Sequence, residues 1–207
     1  QAAHNGHLEV CQYLTMKFNL TKKDVTCRNN YALRKSAQKG HLEVCQWLTH
    51  HFSLTKTDAQ TNKNEAFRFA AVNGHLQLCQ WLTSHFGLTI QDARSDSNYA
   101  LRHAATHGHL EMCQWLTNHF GLTTDDAQDI YNVAFRCAAE NGHLAVCQWL
   151  TQHFDLGVFD ARTDNNYALR RAATNGHFDV CQWLANHFGL TTEDARSYQN
   201  EALRHAA

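Results

Sequence analysis

Apolar residues along this chain fall into two kinds of stretch that alternate. In "HLEVCQWLTHHF", residues 41–52, Leu42, Val44, Cys45, Trp47, Leu48 and Phe52 cover more than half the circumference of a helix. Such a helix is expected to be buried on two sides. The stretch before it, "NNYALRKSAQKG", residues 29–40, reads as a shorter helix with a small apolar face of Ala32, Leu33, Ser36 and Ala37. Asn30 is placed to cap its start and Gly40 to close it in the left-handed conformation. The turn between the two helices is so short that they are expected to run antiparallel.

This pattern recurs without insertion or deletion. Gly6, Gly40, Gly74, Gly108, Gly142 and Gly176 stand 34 residues apart, each followed by His and, from the fifth place, by Cys-Gln-(Trp/Tyr)-Leu. A fixed period of this length marks units that bury their apolar faces by stacking on neighbours. The expected fold is all-α, a helical repeat solenoid forming a single array of about six units over residues 1–207. Both ends stand at the same phase of the repeat and neither shows a polar cap, so a segment of a longer array is expected. Between copies runs "LTxxDA(R/Q)". Thr55 with Asp58, Thr89 with Asp92, Thr123 with Asp126 and Thr191 with Asp194 have capping-box spacing, which predicts a short third helix or helical turn. Gly157 lacks the hydroxyl and is expected to hold its copy of that helix less firmly.

At "ALRHAATHGHLEMCQWL", residues 100–116, the chain resembles the ankyrin repeat, whose helix pair reads roughly T-P-L-H-x-A-A-x-x-G-H-x-x-x-V-x-x-L-L. Leu101, Ala104, Ala105, Gly108, His109, Leu110 and Leu116 carry the match, and it recurs in every copy. The tetratricopeptide pattern shares the period, but its W-x-x-L-G-x-x-Y motif and closing proline are missing. Tyr99-Ala100 stands where the family has Thr-Pro and Arg102 where it has His, while "FGLTTDDAQ" and its equivalents replace the hairpin segment. The resemblance therefore implies ankyrin-like helix pairs with the short third helix in place of a β-hairpin. It also implies a protein-binding concave face built from the first helix and its adjoining loop. Similar arrays occur in protists and in their large DNA viruses.

Composition narrows the chemistry. Eighteen basic against nineteen acidic residues leave a net charge of −1, which points to no nucleic-acid partner and no acidic membrane. No apolar run has the length of a membrane span. Proline is absent, which helices tolerate well. The eight cysteines have no disulfide framework, because stacked helices about 8–10 Å apart hold the column too far apart to bridge. A reducing, cytoplasmic or otherwise intracellular compartment is expected. Asn19-Leu20-Thr21 is a glycosylation sequon present in one copy only, a chance match.

Each copy also pairs His with Cys as i and i+4, from His7 with Cys11 to His177 with Cys181. Zinc wants four ligands, so Cys is read as a small core residue and no metal is expected. The column Trp47, Trp81, Trp115, Trp149 and Trp183 is likewise read as core rather than as a stacking platform for single strands, which sits in basic grooves. Arg34, Arg68, Arg102, Arg136, Arg170 and Arg204 match the column Asp24, Asp58, Asp92, Asp126, Asp160 and Asp194 one for one. Asp is expected to cap helices and Arg to bond loop carbonyls, in preference to an Arg–Asp ladder. No phosphate loop, nucleophile elbow or catalytic pair unique to one copy appears, so neither an enzyme nor a cofactor is expected.

What remains are columns that vary while their surroundings do not. Before the Ala pair stand Lys35, Phe69, His103, Cys137, Arg171 and His205; two places before the Gly stand Gln38, Val72, Thr106, Glu140 and Thr174. The loop column reads Arg28, Asn62, Asp96, Ile130, Asp164 and Tyr198. These are the candidate contact residues of a non-catalytic scaffold for a protein partner, with Phe69 and Tyr198 as aromatic anchors. The alternative is a structural spacer or a filament that self-associates through uncapped repeat ends.

Overall fold

Each copy folds as two helices joined at the Gly-His pair, with a short helix leading into the next copy. The computed structural model describes residues 1–204, and these divide into two units, Gln1–Ala100 and Leu101–Ala207. In the first unit, Cys27–Gln38 packs on Leu42–His51 and Thr61–Val72 on Leu76–Phe86. In the second, Thr124–Glu140 packs on Leu144–Phe154 and Thr163–Thr174 on Phe178–Phe188. No strand occurs among the described residues. The all-α repeat fold expected from the period is the one observed.

The pairs close tightly because the first helix presents small residues to the second. Ala70 and Ala71 are fully buried, as are Ala104 and Ala105, Ala138 and Ala139. From the second helix Leu78, Cys79 and Leu82 fill the space they leave, each large aliphatic side chain worth about 1.5–3 kcal/mol on burial. The helices end where the sequence allows a left-handed residue, at Gly87, Gly121 and Gly189 but also at Asn19 and Asp155.

The short third helix is present at Lys22–Val25, Lys56–Ala59, Ile90–Ala93 and Val158–Ala161. In each the Asp holds the start of the helix: the backbone N–H of Thr55 donates to Asp58 Oδ2 at 2.8 Å, and the Thr55 hydroxyl donates to the same oxygen. Gly157 makes the backbone half of this arrangement with Asp160 at 2.8 Å. The helix forms there without the hydroxyl, which shows that the carboxylate does most of the capping.

One local expectation is corrected. Asn30 is not an ordinary N-cap: Arg28, Asn29 and Asn30 are three consecutive residues at φ 52°, 56° and 55°, a single left-handed turn set between the short helix and the first long one. The turn repeats at 62–64, 96–98, 130–132 and 164–166. The third residue is buried in all five, and two of their amides reach forward to the next copy: Asn64 Nδ2 donates to Asp92 Oδ1 at 3.1 Å and Asn132 Nδ2 to Asp160 Oδ1 at 2.9 Å.

The Gly-His pair couples copies. Beside Gly6, Gly40, Gly108 and Gly142 lies the imidazole of the following copy's His, and a Cβ added to any of these glycines would come within 2.6 Å of that ring. His41 Nε2 donates to the carbonyl of His4 at 3.1 Å, and His75 Nε2 to that of Gln38 at 3.2 Å. Among the described residues nothing lies within 4 Å of the same position at Gly176, whose φ is also +76°.

Two glycines of identical backbone therefore differ only in what they touch. Gly176→Ala is expected to cost about 1 kcal/mol of backbone strain. Gly142→Ala is expected to cost a further 1–3 kcal/mol, roughly, because the His177 ring must shift. Urea unfolding of the two variants measures the difference, and equal losses would show that the ring is not wedged against the glycine.

Candidate interaction surface

The columns that vary lie on the first helix and on the left-handed turn before it, so the turn sets their geometry. A left-handed residue other than glycine costs roughly 1–2 kcal/mol, and something must offset three in a row. In the first unit Arg68 does so. Its Nε donates to the carbonyl of Lys63 at 2.6 Å, its Nη2 to that of Asn62 at 3.0 Å, and its Nη1 to Asp96 Oδ2 of the next copy at 2.6 Å. The guanidinium also lies 4.5 Å from the centre of the Tyr99 ring. Arg34 and Arg170 grip their own turns in the same way, and Arg170 stacks on Tyr198 at 4.5 Å. Asp as cap and Arg on loop carbonyls is thus what the structure shows. Arg34, Arg68 and Arg136 make their ion pairs with Glu65, Asp96 and Asp164, outside the Asp column, while Asp194 of that column pairs with Arg162.

The candidate residues are brought to one face of each unit, but most are half-buried and linked to one another. In the first unit Lys35 donates to Gln38 Oε1 at 2.9 Å and to Glu65 at 3.3 Å, and its ammonium lies 5.5 Å from the Phe69 ring. Phe69 meets Tyr99 edge to face at 5.9 Å. Asn62 donates to Glu65 at 3.0 Å, and Val72 is half-exposed beside it on the helix. In the second unit Glu140 accepts two bonds from Arg171, at 2.9 and 2.7 Å, and one from the Tyr167 hydroxyl at 2.8 Å. Thr106 and Thr174 turn their hydroxyls back to helix carbonyls. Cys137 is half-buried; burial and then the charge of Glu140 push its thiol up. His103 is half-buried near His107, with 6.4 Å between ring centres. Asp164 is exposed and paired with Arg136, and Ile130 and Tyr198 are exposed. His205 lies outside the described residues. Phe69 is therefore a contact between copies, whereas Tyr198 presents its edge to solvent.

The tryptophan column is not core. Trp47, Trp81, Trp115, Trp149 and Trp183 are all only half-buried. The cause is visible at Trp183, which with His187 lines a groove whose other wall is Gln148, Thr151 and Gln152 of the preceding second helix. Each ring is covered on one side by the His four residues on, at 5.2 Å and nearly parallel, as in Trp81 with His85. Cysteine behaves as expected: Cys45, Cys79, Cys113 and Cys147 are fully buried, and burial pushes the Cys45 and Cys113 thiols up to about 12. The exposed thiol is Cys27. His41, His75, His143 and His177 of the His-Cys pairs are the rings set against the glycine of the preceding copy, and no helix among the described residues is long and apolar enough to cross a membrane.

Sequence reading missed two things. The Asn column 30, 64, 98, 132 and 166 signals the left-handed turn, since Asn tolerates that conformation best after glycine. Charge is also segregated: residues 1–100 carry eleven basic and seven acidic side chains, residues 101–207 seven and twelve, and every lysine lies before residue 64. A near-zero total hides this.

A family model described as Ankyrin repeats (3 copies) matches residues 38–128, 67–160 and 135–207. A second, described as Ankyrin repeats (many copies), matches residues 1–49. No curated protein matches the chain.

The coupling histidines carry a pH dependence. Burial holds His75 and His143 below the ordinary 6.5, against the pull of their carbonyl partners. The folded chain binds these protons less readily than the unfolded one, so stability is full above about pH 6.5 and falls as the pH drops through it. Asp92 lies below its ordinary value because the bonds from Thr89, Gln60 and Asn64 outweigh its burial. Its contribution, like that of Asp194, which bonds from Arg162 bring down to about 2, is lost only below about pH 4. The urea midpoint is therefore expected to be lower at about pH 5.5 than at about pH 7.5, and His75→Asn with His143→Asn to flatten that drop. Equal midpoints in the parent chain would contradict it.

Proposed function

Because this chain belongs to the ankyrin-repeat family, we propose that it is a non-catalytic scaffold that holds a protein partner against the face of its first helices and the turns before them. The observation that carries this reading is the contrast within the chain: the residues that build the stack are the same in nearly every copy, and those on this face change from cation to aromatic to acid. Because Lys35, Phe69, Glu140 and Arg171 also bond between copies, a partner meets a preorganised surface and immobilises few side chains on binding. Eight free thiols, most of them buried, suit an intracellular, reducing compartment. The alternative, a spacer or self-assembling filament, draws its support from the regular Gly-His interlock.

A photo-crosslinking residue placed in turn at Val72 and Thr174, half-exposed on this face, and at Gln80 and Gln148, exposed on the second helices, separates the readings. The scaffold predicts that the first pair of positions, expressed in the native cell, captures one protein other than the chain itself while the second pair does not. Capture of the chain's own copies alone would favour the filament.

A further inference from the structure

One stretch breaks the polar character of the loop edge. At position 130 the preceding copies have Arg28, Asn62 and Asp96, and this one has Ile; at 131 others have Asn29, Lys63, Ser97 and Asn165, and this one has Tyr. At 159 the other copies have Lys23, Thr57, Gln91, Asp125 and Glu193, and this one has Phe. The three side chains are 44%, 75% and 84% exposed. Ile130 and Tyr131 line an open depression of about 570 Å³ with Gln128, Asp129, Asn132 and, from the next copy, Asp160 and Thr163, and Phe159 directly precedes Asp160 in the chain. Asn132 Nδ2 ties its two walls together through Asp160 Oδ1 at 2.9 Å and Thr163 Oγ1 at 3.2 Å. The Thr163 hydroxyl also donates to the backbone carbonyl of Phe159.

Nothing in the stack calls for these residues. A β-branched Ile at φ 51° and a Tyr at φ 57° occupy a conformation that polar residues fill at lower cost at 28–30, 62–64, 96–98 and 164–166. The turn is also held less firmly: Arg136 reaches one of its carbonyls at 3.4 Å, where Arg34, Arg68 and Arg170 reach two at 2.5–3.1 Å. Exposed apolar residues clustered in one place are the mark of a contact surface. The depression itself is acidic: Asp129 and Asp160 line it, and the stretch 121–165 carries seven carboxylates against Arg136 and Arg162, both already paired, with Asp164 and Asp194. Asp125 and Asp164 are exposed. An anionic lipid surface or a nucleic acid would be repelled.

We propose that the edge around Ile130, Tyr131 and Phe159 is a docking surface for a protein segment with one or two large apolar side chains flanked by lysine or arginine. The apolar rim takes the former and the carboxylates the latter, which sets orientation and speeds encounter. This rests on the scaffold reading and names the chemistry of the partner at one place on it.

The test uses a fluorescein-labelled peptide of alternating Lys with Phe and Leu, a counterpart with Glu for every Lys, and the whole chain. The variant carries Ile130→Asn, Tyr131→Ser and Phe159→Gln, residues that other copies hold at the same positions, so the turn keeps its shape; circular dichroism checks that it does. Anisotropy is expected to show the Lys peptide binding in the micromolar to submillimolar range, at least about tenfold more weakly to the variant, and weakening with salt. The Glu peptide is expected not to bind. Equal affinity for parent and variant, or no binding of the Lys peptide by the parent, would overturn the proposal. A chain that captures a partner at Val72 and Thr174 yet ignores the Lys peptide would remove this surface and leave the scaffold standing.

Discussion

Three L-residues in succession in the left-handed conformation will not stay there unaided, and in this protein Arg34, Arg68 and Arg170 each hold one such turn. The guanidinium of Arg68 spends two of its donors on the carbonyls of the turn it closes and a third on Asp96 of the next copy, while its face lies on Tyr99. One planar side chain thus fixes a local conformation and a neighbour at the same time, which a lysine with a single mobile ammonium cannot do. The turn in turn places the first helix, and it aims the buried Asn64 and Asn132 at the capping Asp92 and Asp160 of the next copy.

In each unit a His ring set against the preceding glycine, as beside Gly40 and Gly142, makes a second link between copies. Within a unit the two links limit how far neighbouring copies can shift, and variable positions such as Asp96 and Asp164 take part in the first of them. Those positions are not idle. Lys35 with Glu65 and Arg171 with Glu140 show that variable residues are matched from one copy to the next, so the recognition face is part of the stack. Among the described residues, Ile130, Tyr131 and Phe159 expose apolar surface at positions that the preceding copies fill with polar side chains.

The period, the helix pairs and the capping boxes were legible because each is a short-range pattern: apolar spacing, a Gly-His pair, Thr and Asp three apart. The left-handed turn was not, since its stabilising partner lies five and six residues on and acts through backbone carbonyls that no residue name reveals. Asn30 looked like a cap for the same reason. The tryptophans misled because size and hydrophobicity say core, whereas the groove between successive second helices leaves the outer face of Trp183 open. The candidate columns were placed on the right helix, but their mutual bonds depend on a stacking geometry that pairs residues about 30 apart. The acidic, apolar edge near residue 130 was hidden by averaging charge over the whole chain.

Arg68→Met, compared with Lys63→Gly in the turn that Arg68 closes, tests this account most directly, by urea unfolding of each single variant and of the double. Removing the arginine should cost about 3–5 kcal/mol, as for breaking a buried, hydrogen-bonded charge pair. Glycine at 63, where φ is +58°, should relieve strain and recover part of that loss in the double variant. If Arg68→Met costs less than about 1 kcal/mol, or if glycine at 63 recovers nothing, the turn holds itself and the arginine is not what the stack depends on.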